Sequence, residues 1–129
     1  MKILVGYGGQ DDEKVLDEGI KHAKAFGGAI FVVTVMETVS ENQVPEVEKA
    51  QAELKRVKER VEQKNIHCET RLLERGVSPG EDLVKFAEEE GIDMILVGIQ
   101  RTSRVGKILF GSNAQYVILN SPCPVVTVK

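Results

Sequence analysis

The chain has 129 residues, of which 42% are apolar and 29% are charged, and its formal net charge is −3. This length and composition suit one globular domain with a hydrophobic core, which we expect to span residues 1–129. The acidic balance and the low aromatic content argue against broad nucleic-acid binding, which requires a basic face and stacking platforms. No apolar run reaches the roughly 18 residues of a membrane span, and no signal-peptide cleavage site follows the first residues. We therefore expect a cytoplasmic protein that binds neither nucleic acid nor membranes.

Apolar segments typical of strands alternate along the chain with amphipathic segments typical of helices. The predicted strands are, in order, Lys2–Tyr7, Ala29–Met36, 66–72, Asp93–Val97 and Val125–Val128. The four predicted helices begin at the acids of 11–13, at Ser40 or Glu41, at Ser78 and at Ile108. The first, third and fourth end before Gly27, Gly91 and Ser121.

Some segments carry more specific signals. Apolar and polar residues alternate over 66–72, which favours a strand at the edge of a sheet. The second helix has a narrow apolar stripe from Val44 to Val61 under a charged face, and the residues 78–81, Ser-Pro-Gly-Glu, form a capping-box pattern. Cys68 and Cys123 are too few for a disulfide framework or a metal site, so we predict two buried structural thiols.

Strands that alternate with helices form a parallel sheet with right-handed crossovers. We predict an α/β domain with a single doubly wound, five-stranded parallel sheet in the order 3-2-1-4-5 and helices on both faces. In this order the first and fourth strands are neighbours, and the chain winds away from them in opposite directions. Ligands bind beyond the carboxyl ends of such strands. The loop after the first strand and the loop 98–112 are therefore predicted to face each other there.

The loop 98–112 is the main candidate for a binding element. It leaves a buried strand at Gly98, passes the cations Arg101, Arg104 and Lys107, and enters a helix near Gly111 and Ser112. Glycines let backbone N–H groups approach a ligand closely, and the N–H groups at a helix start favour an anion. The loop lacks the Walker A spacing. The alternative interpretation is a polar crossover loop with a helix cap.

Over essentially its whole length the sequence resembles the universal stress protein family. After the fourth strand, nucleotide-binding members of that family carry a Gly, two residues, a second Gly, nine residues, and then Gly-Ser or Gly-Thr. Gly98 and the Gly111-Ser112 pair fit this spacing, and Arg101 replaces the second glycine. The opening residues 1–5 and the ending 120–126 also look like those of the family.

The resemblance implies a site for ATP or AMP across the two glycine loops. In such a site Gly98 lies by the ribose, and the phosphates lie near Arg101, Gly111, Ser112 and Asn113. Adenine is expected between the ends of the first two strands, at Gly6, Tyr7, Gly8 and Val35. The family usually has an Asp where this chain has Gly8, and commonly a Ser where it has Gln10. Mg²⁺ is expected only together with the nucleotide, because the acids of 11–13 are explained by a helix start.

Three functions are open at this point. The first is a non-catalytic regulatory protein that binds ATP or AMP weakly, and the second is a dimeric interaction module that binds no nucleotide. The third is a dinucleotide-dependent enzyme, since residues 6–11 begin like the Gly-x-Gly-x-x-Gly fingerprint and Glu37 closes the second strand. Its third glycine is missing and the chain has no room for a substrate domain.

The last strand, Val125–Val128, carries no charge and is predicted to lie at the edge of the sheet. An apolar edge strand invites pairing with a second copy of itself, and the closing strands of the family commonly pair in this way. We therefore expect a homodimer.

Overall fold

The computed structural model describes residues 1–8, 12–36, 44–99 and 111–129. Several sequence predictions lie outside these ranges. They concern Gln10 and Asp11, Glu37, the predicted starts of the second and fourth helices, and the cations Arg101, Arg104 and Lys107.

Five parallel strands form one sheet in the order β3-β2-β1-β4-β5, which confirms the predicted doubly wound α/β fold. The strands are β1 (Lys2–Gly6), β2 (Ala29–Val35), β3 (Cys68–Leu73), β4 (Met94–Gly98) and β5 (Val125–Val128). The helices are α1 (Asp12–Phe26), α2 (Val44–Glu62), α3 (Pro79–Glu90) and α4 (Ser112–Asn120). Strand boundaries differ from the prediction by one or two residues: β1 ends at Gly6 rather than Tyr7, and β3 begins at Cys68.

Helices cover both faces of the sheet and bury it between two apolar layers. Successive residues of β1 alternate between the layers, since Ile3 and Val5 pack with α1 and α2 whereas Leu4 packs with α3 and α4. The register places Leu4 opposite Phe31 of β2 and opposite Ile95 of β4. The central strands are apolar on both faces, and this is why they appear as continuous apolar runs in the sequence.

The predicted stripe of α2 is buried only in its C-terminal half. Leu54, Val57 and Val61 are buried, whereas Val44 is 50% exposed. A helix of 19 residues is about 28 Å long, but its neighbour β3 has only six residues and spans about 20 Å. The first turns of α2 therefore extend beyond the end of β3 and stay exposed, although the helical periodicity of apolar residues continues through them.

The capping box predicted at the start of α3 lacks its expected hydrogen bond from the N-cap side chain, so this part of the prediction is wrong. Ser78 has the extended backbone of an N-cap, but its side chain makes no cap hydrogen bond. The Gly80 N–H instead donates to Oδ1 of Asn113, 2.9 Å away on α4. The two helices approach closely here, because a Cβ on Gly80 would lie 2.8 Å from the Asn113 carbonyl oxygen. A side chain from another helix thus replaces the local cap.

The two thiols differ in burial. Cys68 lies fully buried under α2, as predicted, and burial raises the pKa of its thiol to about 11. Cys123 is only partly buried, so the prediction of a second buried thiol is wrong. It lies in the turn before β5, at the edge of the sheet, where only one side of the chain is covered.

One charged side chain lies in the buried part of the described chain. Asp82, in the first turn of α3, has no exposed surface. Nε of Arg75 lies 3.0 Å from its Oδ1, and the same guanidinium reaches Glu89 at 2.6 Å. Burial raises the pKa of Asp82, and the positive charge of Arg75 opposes that rise.

Candidate functional site

A cavity of about 210 Å³ opens at the carboxyl ends of β1 and β4, on the α3 and α4 side of the sheet. The end of β1 and the loop after it contribute Gly6, Tyr7 and Gly8, and the ends of β2 and β4 contribute Val33, Val35, Val97 and Gly98. The helices contribute Asp12, Pro79, Leu83, Asn113, Ala114 and Val117. The cavity lies where the strand order reverses, which is the position of ligand sites in doubly wound sheets.

The structure brings most of the predicted site residues together. Six of them line the cavity, namely Gly6, Tyr7, Gly8, Val35, Gly98 and Asn113. Gly111 is the N-cap of α4 and Ser112 its first residue, so both directly precede Asn113 rather than lining the described cavity themselves. Arg101 lies outside the described residues.

Sequence reasoning missed the apolar wall of the cavity. Val33 and Val97 belong to strands, Leu83 to α3, and Ala114 and Val117 to α4, and none of them is among the predicted site residues. Their side chains form a largely apolar wall, and the space that they leave open above Gly6 is the cavity. A Cβ on Gly6 would meet Leu83 Cδ1 at 3.4 Å and Val97 Cγ1 at 3.7 Å. The absence of that atom leaves room at the floor of the cavity.

Gly8 has a backbone conformation that explains why a glycine occupies this position. Its φ is +111°, and a Cβ there would lie 3.1 Å from Cγ2 of Thr34. An L-residue is strained at such a φ. The conformation directs the Gly8 N–H to Oδ1 of Asp12, at 3.0 Å. This glycine therefore presents backbone to the cavity and ties the loop to the first residue of α1.

Three helices start at the cavity, and they differ in local charge. The N-terminus of a helix carries partial positive charge, which acids in the first turn offset. The first turn of α1 contains Asp12 and Glu13, and that of α3 contains Glu81 and Asp82. The first turn of α4 contains no acid, and its N-cap is Gly111, which has no side chain to accept from the first N–H groups. The start of α4 is therefore the most favourable of the three for an anion.

Tyr7 lines the cavity and also contacts α1 and α2 on the other face of the sheet. Its hydroxyl donates to Oε1 of Glu13 at 3.0 Å and accepts from Nη2 of Arg56 at 3.3 Å. Arg60 bonds the same glutamate and also Asp17, at 2.6 Å. Burial, and then the hydrogen bond to Glu13, raise the pKa of Tyr7 to about 12. The phenol thus stays neutral at physiological pH and connects the loop after β1 to Glu13 of α1 and Arg56 of α2.

Metal centres and membrane spans are two other kinds of site to consider. The part of the chain described here has no group of three or more His, Cys, Asp or Glu side chains placed to hold a metal ion. Within the same ranges, every helix is too short or too polar to cross a membrane.

Comparison with known proteins identifies the family. The model of the universal stress protein family matches residues 1–129. A universal stress protein of Methanocaldococcus jannaschii is 40% identical over 82 residues, which are 64% of this chain and 47% of that protein. The matched segment thus spans about half of that relative's length.

Solved structures extend the similarity to the whole fold. A universal stress protein from Archaeoglobus fulgidus is 30% identical with a TM-score of 0.87, covering 100% of this chain and 98% of that chain. A second structure from the same organism, solved in complex with dAMP, is 27% identical with a TM-score of 0.80 and the same coverage. This chain belongs to the universal stress protein family.

Proposed function

We propose that this chain is a non-catalytic, cytoplasmic regulatory protein whose single domain, residues 1–129, binds ATP or AMP. The observation that carries the proposal is the cavity at the reversal of strand order, which has an apolar wall, glycine backbone on two sides and the uncompensated start of α4 beside it. The related Archaeoglobus fulgidus structure with bound dAMP supports an adenine nucleotide as the ligand.

In the proposed complex the base and ribose occupy the cavity and the phosphates extend to α4. Adenine lies against Gly6, Tyr7, Gly8 and Val35, and Gly98 lies by the ribose. The phosphates lie at Gly111, Ser112 and Asn113, with Arg101 nearby. The cavity volume of about 210 Å³ is below the ~300–1,000 Å³ of sites that enclose a whole ligand, which supports phosphates outside it. Mg²⁺ would enter only with the nucleotide.

Binding is expected to be weak, since Gly8 and Arg101 replace residues usual in the family. A dissociation constant of tens of micromolar corresponds to roughly −6 kcal/mol. Nucleotide at a hundred times that constant should stabilise the fold by about 2.7 kcal/mol, which thermal melting detects readily. The test is melting and calorimetric titration with ATP, ADP and AMP, each with and without Mg²⁺.

Three variants sharpen this experiment. Ser112→Asp sets a carboxylate where the phosphates are proposed to lie and should abolish the nucleotide-induced shift. Asn120→Asp adds the same charge at the opposite end of α4 and should preserve it. Arg101→Gly should weaken binding if the guanidinium grips phosphate and strengthen it if the side chain obstructs the site. If millimolar nucleotides leave both measurements flat for the wild type, the proposal is wrong and the interaction-module hypothesis replaces it.

We further propose a homodimer formed through β5 (Val125–Val128). The strand is an edge of the sheet, and Val125 and Val126 are only partly buried. Apolar edges of this kind support pairing with a second copy. Light scattering should give twice the chain mass of 14.2 kDa, and a monomer at micromolar concentration would contradict the proposal.

The hydrogen-bond pattern of β5 indicates which proline variant tests this pairing. The carbonyls of Pro124 and Val128 accept from Ile95 and Ile99 of the β4 side. Backbone groups of a parallel strand alternate in direction, so Val126 also faces β4 and Thr127 faces the open edge. Thr127→Pro should therefore lower the mass to that of a monomer with the fold retained. Val126→Pro removes a bond inside the sheet and should destabilise the fold itself.

A further inference from the structure

The cavity contains one carboxylate among the described residues that line it, that of Asp12. The residue begins α1 and is half-buried. Most of the other lining residues offer apolar side chains or glycine backbone. A carboxylate in such a place determines which groups of a ligand can lie beside it.

The position of this carboxylate is fixed by the loop that precedes α1. The Gly8 N–H donates to Oδ1 of Asp12 at 3.0 Å. The positive φ of Gly8 directs this N–H, and only glycine adopts such a φ freely. An ionised carboxylate has about four acceptor positions on its two oxygens and donates nothing. It therefore attracts hydroxyl and N–H donors of a ligand and repels phosphate.

The charges at the two ends of the cavity determine the orientation in which a charged ligand binds. Asp12 places a carboxylate at the α1 end of the cavity, where the neighbouring Glu13 is paired with Arg56 and Arg60 and does not line the cavity. The first turn of α4 carries no acid. An anionic group is thus favoured at α4 and disfavoured at α1. Between its phosphates and its base a nucleotide carries the sugar, whose hydroxyl groups can donate hydrogen bonds to a carboxylate.

We propose that Asp12 is a specificity-determining residue that accepts hydrogen bonds from the ribose hydroxyls and so selects ribonucleotides over deoxynucleotides. The inference rests on the proposed nucleotide-binding function. A hydrogen bond to a charged acceptor is worth roughly a factor of ten or more in affinity. Water can replace the missing hydroxyl at a half-buried carboxylate, so we expect a preference of about tenfold rather than several thousandfold.

The test is calorimetric titration of the wild type with AMP, 2′-deoxy-AMP and 3′-deoxy-AMP in buffer containing EDTA, which removes any metal from the carboxylate. AMP should bind about tenfold more tightly than at least one of the deoxy forms. In Asp12→Asn, which preserves shape but replaces one acceptor by a donor, this ratio should fall to about threefold or less. The unliganded melting temperature of the variant reports whether its fold is intact.

Asp17→Asn is the matched control. It makes the same charge change on the same helix, at a side chain that is 61% exposed and pairs with Arg60, and it should keep the wild-type ratio. Equal affinities of the wild type for all three nucleotides would overturn the inference and leave the nucleotide-binding function standing. The same conclusion would follow if Asp12→Asn lowered the affinities for all three nucleotides by one common factor. If none of the three binds, the proposed function fails and this inference fails with it.

Discussion

Replacing Gly19 by alanine tests how tightly α1 is seated on the sheet. Gly19 is buried in the middle of α1, and a Cβ there would lie 2.7 Å from Cγ2 of Val5, which is itself fully buried in β1. The contact must open by several tenths of an ångström, and the β-branched valine cannot rotate away at low cost. Since α1 carries Asp12 to the cavity, this contact also sets the position of the candidate site.

Two effects of opposite sign decide the outcome of Gly19→Ala. Alanine favours a helix interior over glycine by about 1 kcal/mol. Overpacking a filled core costs about 1–3 kcal/mol, and the short distance and the stiff neighbour favour the upper part of that range. We therefore expect a net loss of about 1–2 kcal/mol in the free energy of unfolding.

Urea denaturation followed by circular dichroism measures this loss. The double variant Val5→Ala with Gly19→Ala should be more stable than the sum of the two single changes predicts, by about 2–3 kcal/mol, because the smaller residue removes the clash. Lys21→Ala, an exposed change on the same helix, should lie within about 0.5 kcal/mol of the wild type. A gain of about 1 kcal/mol in Gly19→Ala, as helix propensity alone would give, refutes the reasoning, and so does strict additivity.

Other predictions concern the charged and polar contacts of α3. Arg75→Gln removes the ion-pair partner of the buried Asp82 carboxylate, and at pH 7 it should lower the free energy of urea unfolding by about 2–4 kcal/mol. Arg71→Gln breaks an exposed pair with Glu69 and should cost less than about 0.5 kcal/mol; equal losses would contradict the assignment. Because burial raises the pKa of Asp82, its folded state holds the proton more readily than the unfolded state. The loss in Arg75→Gln should thus be small while Asp82 is protonated in both folded proteins. It should grow as the pH rises above the folded pKa of Asp82 in the wild type, which lies above the unfolded value of about 3.9; a loss independent of pH would argue against this assignment. Asn113→Ala should cost about 1 kcal/mol through the lost Gly80 bond, whereas Asn113→Asp keeps the acceptor and should recover most of that stability in the same assay.

The prediction of the fold succeeded because the signals that carry it are local and repeated. The apolar runs of β1, β2 and β4 and the periodicity of α1 and α3 can each be recognised in a window of a few residues. The right-handedness of crossovers then leaves few ways to order five parallel strands. A resemblance in the Gly98–Ser112 spacing directed attention to the same edge of the sheet. The prediction that the two glycine loops face each other followed from this order and not from any contact visible in the sequence.

Side-chain contacts between distant segments could not be predicted in this way. Asn113 caps α3 across 33 residues and displaces the local capping box that residues 78–81 suggested. Leu83 and Val117 belong to helical stripes typical of any core, and nothing in their spacing distinguishes a cavity wall from a filled layer. Cys123 is only partly buried because its segment lies at the sheet edge, where covering depends on neighbours rather than on residue type.

The sequence by itself determined the order of helices and strands, the parallel sheet and the edge at which the cavity lies, because periodicity and chain direction decide these. Tertiary structure decided which atoms face that site. The φ of +111° at Gly8 is a property of the folded loop, and it directs the Gly8 N–H to the Asp12 carboxylate at the cavity. Such distances depend on how α1, α3 and α4 pack on the sheet, and packing is a sum over contacts that no short segment of sequence contains.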